Sequence, residues 1–495
     1  MRVAPIIPLP AVVEPGPAGA PGLARPTVVV PGPGVPARLA QVAAERLGRA
    51  AGAPVTVADP GTHDAGEPDP GTVTLLLDDD AGPAGSASLE RYSLTVADGR
   101  AVARAADARG LHHAITTLCR LVELGGEGGA PGAGPVVVHD APRYAWRGLS
   151  VDVARNFFGP TALERVVDLA ADLRLNVLHL HLTDDQGWRI EIPSRPELTA
   201  RGSGTQVGGG PGGFLTVAQY ETLQDYAAAR GVVVVPEVDL PGHTNAATHV
   251  YGDLRPDGVP TDAYRGIEVG FSGLSIDLPA TEPFLRDVLG DLAAMTRGEH
   301  LHVGGDEVHR MAAPEYARFV ELAERLVVEH GKTPVAWQEA AHAPLRPGTL
   351  VQFWDTNATD HAALVAAAER GTRFLLSPAD RAYLDMKPVA GFPLGQEWAG
   401  LVELRDAYDW DPADVVAGLP PQSVVGVEAA VWTERIQTLD ELLTMLLPRL
   451  LAVAEVAWTD PARRDWEGFR ARVARAGERW RRDGVPYYAS PQVDW

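Results

Sequence analysis

From Arg147 onward, short runs of β-branched and aromatic residues alternate with longer stretches whose apolar positions recur three and four residues apart. The short runs are GLSVDV, NVLHLHL, VVVVPEVD, LHVGGDE, PVAWQE, LVQFWD, FLLSP and VVGVEAAVW. Strand and helix taking turns in this way predict repeated βα units. Eight such units over about 310 residues fit a (β/α)8 TIM barrel, placed at 141–495 with closing C-terminal helices. Residues 1–140 carry another pattern: TVTLLLDD and RYSLTVADGRAVARA read as strands and LHHAITTLCRLVEL as a helix. They predict a small N-terminal α/β domain, bounded by the Gly- and Pro-rich GGEGGAPGAGPV. The closing DWEGFRARVARAGERWRRDGVPYY predicts an amphipathic helix docked on the barrel with its arginine-rich face in solvent.

Polar and aromatic residues gather at the C-terminal ends of the barrel runs: Arg155, Asp184, Asp185, Glu237, Asp239, His243, then Asp306, Glu307, Trp337, Glu339, Trp354, Trp432 and Glu434. In a TIM barrel that end is the rim where active sites form. Two insertions, GSGTQVGGGPGG within 202–213 and YGDLRPDGVPTDAYRG from Tyr251, are expected as loops over the same rim. The first lacks the lysine a phosphate cradle would use.

Charge removes whole classes of partner. With 43 basic against 65 acidic side chains and a net charge of -22, the chain repels polyanions, so neither nucleic acid nor an anionic membrane is an expected partner. The one cysteine, Cys119, allows no intrachain disulfide and no cysteine-based metal site. Prolines interrupt the N-terminus before any apolar segment of useful length, and no run is long enough to span a bilayer. The expected compartment is the cytoplasm, or the exterior if a leader has been trimmed. Oligomeric state is left open.

The adjacent acids of HVGGDEV, Asp306 and Glu307, pose the chemical question. Consecutive Cα atoms stand about 3.8 Å apart, whereas the carboxyl pair of a typical glycosidase is separated by about 5 to 9.5 Å and flanks the sugar ring. One of the two therefore needs another task. Glu307 as proton donor would be held protonated by its neighbour's charge and partial burial. Asp306 would then orient a nucleophile carried by the substrate, for which a 2-acetamido carbonyl oxygen is suited. Two other readings start from different features. His179 and His181 share a strand face and, with His243 and Asp306, could hold a divalent ion in a metal-dependent barrel hydrolase. A glycan-binding protein without turnover is the third.

RGLSVDVARNFF, NVLHLHLTDDQGWRIEI, PEVDLPGH, HVGGDEV, YLDMKP and VEAAVWTE occur in this order, and in that order the chain resembles glycoside hydrolase family 20, the β-N-acetylhexosaminidases. The resemblance implies an exo-acting, retaining enzyme for terminal β-linked GlcNAc or GalNAc on small oligosaccharides or glycoconjugates, with no cofactor and no metal. It implies Asp306 as the residue that orients the acetamido group and Glu307 as general acid, then base. Arg155 and Asp184 would bind the C3 and C4 hydroxyls, Glu434 C4 or C6, Tyr383 the acetamido carbonyl, and Asp385 the sugar near C6. Trp337, Trp354 and Trp432 would wall the pocket, Trp398 would border the aglycone, and His243 and Asp239 would support Glu307. Asn156 follows Arg155 where many relatives have histidine. Asp185, Glu191, Glu237 and Glu339 are expected to hydrogen-bond loops or Arg189 rather than to react.

Overall fold

The computed structural model describes residues 6–58, 69–123, 125, 131–357 and 361–495. Seven strands build the N-terminal sheet: Val12–Pro15 (β1), Val28–Pro31 (β2), Thr56–Val57 (β3), Thr72–Leu77 (β4), Tyr92–Ala97 (β5), Arg100–Ala105 (β6) and Val136–Asp140 (β7). Their order is β1-β7-β5-β6-β4-β2-β3. The run RYSLTVADGRAVARA divides into β5 and β6 at Asp98 and Gly99, whose φ values of 52° and 73° give the left-handed pair of a type I′ hairpin turn. Helices Ala37–Ala51 (α1) and Ala108–Glu123 (α2) pack on each other and on the sheet. Leu124 and residues 126–130 of the expected helix end and Gly-rich boundary lie outside the described residues.

Eight parallel strands close the barrel: Trp146–Asp152 (β8), Val177–His181 (β9), Val233–Glu237 (β12), His300–His302 (β13), Thr333–Trp337 (β14), Leu350–Phe353 (β15), Arg373–Leu376 (β16) and Val424–Val431 (β17), with a rim hairpin, Thr183–Asp184 (β10) and Gly187–Trp188 (β11), after β9. Each of the eight expected runs supplies one strand. β13 is shorter than its run, stopping at His302, because Gly304 and Gly305 turn to φ 71° and 108° and lead the chain out of the sheet. A side chain at Gly304 would be impossible: its Cβ would fall 1.8 Å from Asp239 Oδ1.

Buried charge joins the two domains. Asp140, at the end of β7, accepts from Arg174 (2.8 Å), from the Trp458 indole (3.1 Å) and from the backbone of Ala11 (2.9 Å). Glu90, before β5, takes His113 at 2.7 Å and the Arg147 guanidinium of β8. Trp458 closes the barrel helix Arg449–Trp458 yet belongs to the apolar core of the N-terminal sheet. The last helix, Trp466–Asp483, docks through Phe469, Val473 and Trp480, and its buried Arg472 pairs with Glu455. Among the described residues no helix is long and apolar enough to cross a membrane.

Candidate active site

A cleft of about 380 Å³ opens at the C-terminal ends of the strands, lined by Arg155, Ile267, Val269, Asp306, Glu307, Trp354, Tyr383, Gln396, Trp398, Trp432 and Glu434. The acids enter it from the loop after β13. Asp306 is 8 % exposed, while Glu307 takes a left-handed φ of 53°, a conformation that costs a residue with a side chain about 1–3 kcal/mol. One imidazole meets both: His243 Nε2 lies 3.5 Å from Asp306 Oδ2 and 3.2 Å from Glu307 Oε2. His243 is itself left-handed at φ 54° and turns Nδ1 to Asp184 Oδ1 at 3.2 Å. Burial opposes a charge on this ring, but Asp184, Asp239 and Asp306 outweigh it and hold its pKa well above the ordinary value.

Behind Asp306 stands Asp239, which accepts from the Gly305 amide at 3.2 Å. Burial, and then the charge of Asp306, push the Asp239 carboxyl well above the usual range. Burial and the Asp306 charge also push Glu339 up to about 8, where it accepts from the Trp354 indole at 3.2 Å.

The aromatic wall is continuous. Trp354 stacks parallel to Tyr383 with centroids 6.3 Å apart, Trp398 meets both edge-on, and Arg155 lies over the Trp432 ring at 5.0 Å. Such faces suit the apolar side of a pyranose. Trp398 is 45 % exposed, and Ile267 and Val269, which line the same cleft, are exposed as well. Glu434 closes the other end with Oε2 unpartnered, and both oxygens of the buried Asp385 are also without partners. Burial and the Glu434 charge push Asp385 well above the usual carboxylate range.

Two expected wall residues stand back from the cleft. Trp337 is 1 % exposed and donates its indole N–H to Glu237 at 2.8 Å, because the last residue of β14 points into the barrel; it backs Trp432 instead of forming the surface. Asp184 has no exposed surface, and its oxygens are taken by Arg155 (2.7 Å), His181 (2.7 Å), His243 and the Asp185 amide, so it anchors Arg155 instead of meeting a hydroxyl. Three lining residues, Ile267, Val269 and Gln396, carry no signal in the sequence beyond their place in or beside rim loops. The loop 202–213 is fixed by Arg189, which donates to the carbonyls of Ala154, Ser203, Thr205 and Gly213. Asp185 holds Ser272 and Asn245, and Glu191 caps the Val217 amide. Asn156 ties β8 to β17 through the Thr433 carbonyl at 2.7 Å.

A TIM barrel with an adjacent acid pair, a shared imidazole and an aromatic cleft at its C-terminal rim defines a sugar-cleaving hydrolase. The chain belongs to glycosyl hydrolase family 20, the β-N-acetylhexosaminidases: the catalytic-domain profile of that family matches residues 144–315 and 312–461, and its domain 2 matches residues 3–140. A β-N-acetylhexosaminidase of Cellulomonas fimi is 55 % identical over 92 % of this chain and 89 % of its own. A mutant β-hexosaminidase of Streptomyces plicatus, solved with the product GlcNAc, superposes with a TM-score of 0.91 at 40 % identity, covering 100 % of this chain and 98 % of that one. The Streptomyces coelicolor family 20 β-N-acetylhexosaminidase gives 0.90 at 40 % identity, with 100 % and 99 % covered.

Proposed function

We propose that the protein is an exo-acting β-N-acetylhexosaminidase that removes terminal β-linked GlcNAc or GalNAc from oligosaccharides by a retaining, substrate-assisted route. The observation that carries this is the shared contact of Asp306 and Glu307 with His243 Nε2, which brings the two neighbouring acids to one point of the cleft. Asp306 accepts the acetamido N–H and faces the positive charge as the acetamido oxygen attacks the anomeric carbon. Glu307 protonates the leaving oxygen, then takes a proton from the water that opens the oxazolinium ring. Arg155, Glu434 and Asp385 hold the ring hydroxyls, Tyr383 the acetamido carbonyl, and Trp398 the aglycone.

Several His and acid groups, such as His179 with Glu237 and His302, are close enough together to surround an ion. Glu237 there already faces imidazoles at 2.6, 3.0 and 3.1 Å, so both its oxygens have partners, which supports the metal-free reading. The test compares an aryl N-acetyl-β-glucosaminide with the matching aryl β-glucoside, each with and without chelator. Cleavage of the first alone, indifferent to chelation, is the expected result. Equal cleavage of both, or loss on chelation, would overturn the mechanism.

A further inference from the structure

Beneath the cleft, a single string of alternating acids and imidazoles runs through the barrel interior. Starting at the floor, Glu428 accepts from the Trp146 indole at 2.8 Å and contacts His179 Nδ1 at 2.9 Å. His179 Nε2 reaches Glu237 Oε2 at 3.1 Å, and the same oxygen meets His181 Nδ1 at 2.6 Å. His181 Nε2 lies 2.7 Å from Asp184 Oδ2, and Asp184 Oδ1 lies 3.2 Å from His243, the ring that meets Glu307. Five elements contribute (β17, β9, β12, the β10 hairpin and the loop after β12), and every member is at most 3 % exposed.

We propose that His181 and Glu237 are positioning residues for the acid–base step: through Asp184 they keep His243 a fixed cation against Glu307, and so set the alkaline limit of activity. This rests on the function proposed above. No proton travels along the string; Glu307 exchanges its proton only with the leaving oxygen and then with water. The string supplies charge of alternating sign. Burial opposes the charges on His179 and His181, but Glu428 with Glu237, and Glu237 with Asp184, outweigh it; His179 is pushed up to about 9 and His181 well above its ordinary value. Facing His181 are Glu237, Asp184, Asp239 and the Arg155 guanidinium, the last at 3.2 Å. Facing His243 are Asp184, Asp239, Asp306, Glu307 and Arg155, the last at 3.5 Å.

The pH profile of kcat/KM separates this role from mere packing. His181→Asn keeps a hydrogen-bond donor but no charge. Removing one positive charge makes the carboxylate facing His243 harder to ionise, so the alkaline limb is expected to rise by about one pH unit, with KM changed less than about twofold. Glu237→Gln removes a negative charge, and its limb should move down. Opposite shifts in two folded variants would not arise from loosened packing. A folded His181→Asn enzyme with the wild-type limb would overturn the proposal. If neither variant folds, proton NMR of the wild type decides: imidazole N–H resonances far downfield that persist above the ordinary histidine range are expected, and their absence overturns the string as a charged device. Wild-type inactivity on the aryl N-acetyl-β-glucosaminide would instead be the failure of the proposed function.

Discussion

Glu307 is held with its backbone left-handed, beside two glycines whose positive φ ends β13, and that bend lets neighbouring acids serve one centre. Glu307→Gln keeps the shape of the site but removes the proton. Its kcat should fall by about 10²–10⁴ on substrates with poor leaving groups, while affinity for the sugar product, read by calorimetry, stays near wild type. Asp306→Asn removes the countercharge to the oxazolinium-like cation, with an expected loss of about 10²–10³ in kcat. Trp398→Ala should weaken kcat/KM for substrates with an extended aglycone by about tenfold, and should change inhibition by the free monosaccharide far less. At this scale the sequence was uneven. Asp306 and Glu307 stood out because their adjacency conflicts with ordinary glycosidase geometry. Trp337 did not reveal its place, because an indole at a strand end has the same signature whether it faces substrate or lies one layer beneath. Ile267, Val269 and Gln396 stayed silent because rim loops have no period to read.

At the scale of elements, the eight barrel strands were legible because runs buried on both faces are rich in valine and leucine, even where they carry buried groups such as His179, Glu237 and Glu428. The N-terminal strands β1, β2, β3 and β7 and helix α1 were not. Several of these strands are short and partly exposed, like Val12–Pro15 and Thr56–Val57, and prolines punctuate their surroundings. The loop 202–213, so rich in glycine, reads as free chain, yet one distant guanidinium pins it. Arg189→Met should leave four buried or half-buried carbonyls without their donor, at about 1–3 kcal/mol for each fully buried one. Chemical denaturation would register the loss, and limited proteolysis should begin to cut within 202–213.

For the whole molecule, pH bears on stability through buried histidines. His112 and His113 are pushed down to about 3 and about 4 by burial. The unfolded chain takes up protons at these sites below its ordinary value of 6.5 and the folded chain does not, so stability falls as pH drops from there toward 4. His179 acts in the other sense. Raised to about 9, it contributes stability that is complete below 6.5 and lost as pH rises through 9. Glu339, raised to about 8, loses its contribution over the range from 4.5 to 8 as well, so the melting temperature should decline as pH rises above 6.5, and a calorimetric pH series checks it. Arg174→Met, which strands the buried Asp140 carboxylate, should cost about 3–5 kcal/mol in denaturant titration.

The seat of Trp458 inside the N-terminal core bears on how such a gene can change. A barrel shorn of its partner would expose that indole and leave Arg147 and Arg174 without Glu90 and Asp140. Recombination that breaks the coding sequence between Asp140 and Trp146 thus yields two crippled halves, and the pair is expected to pass through descent as one inherited piece.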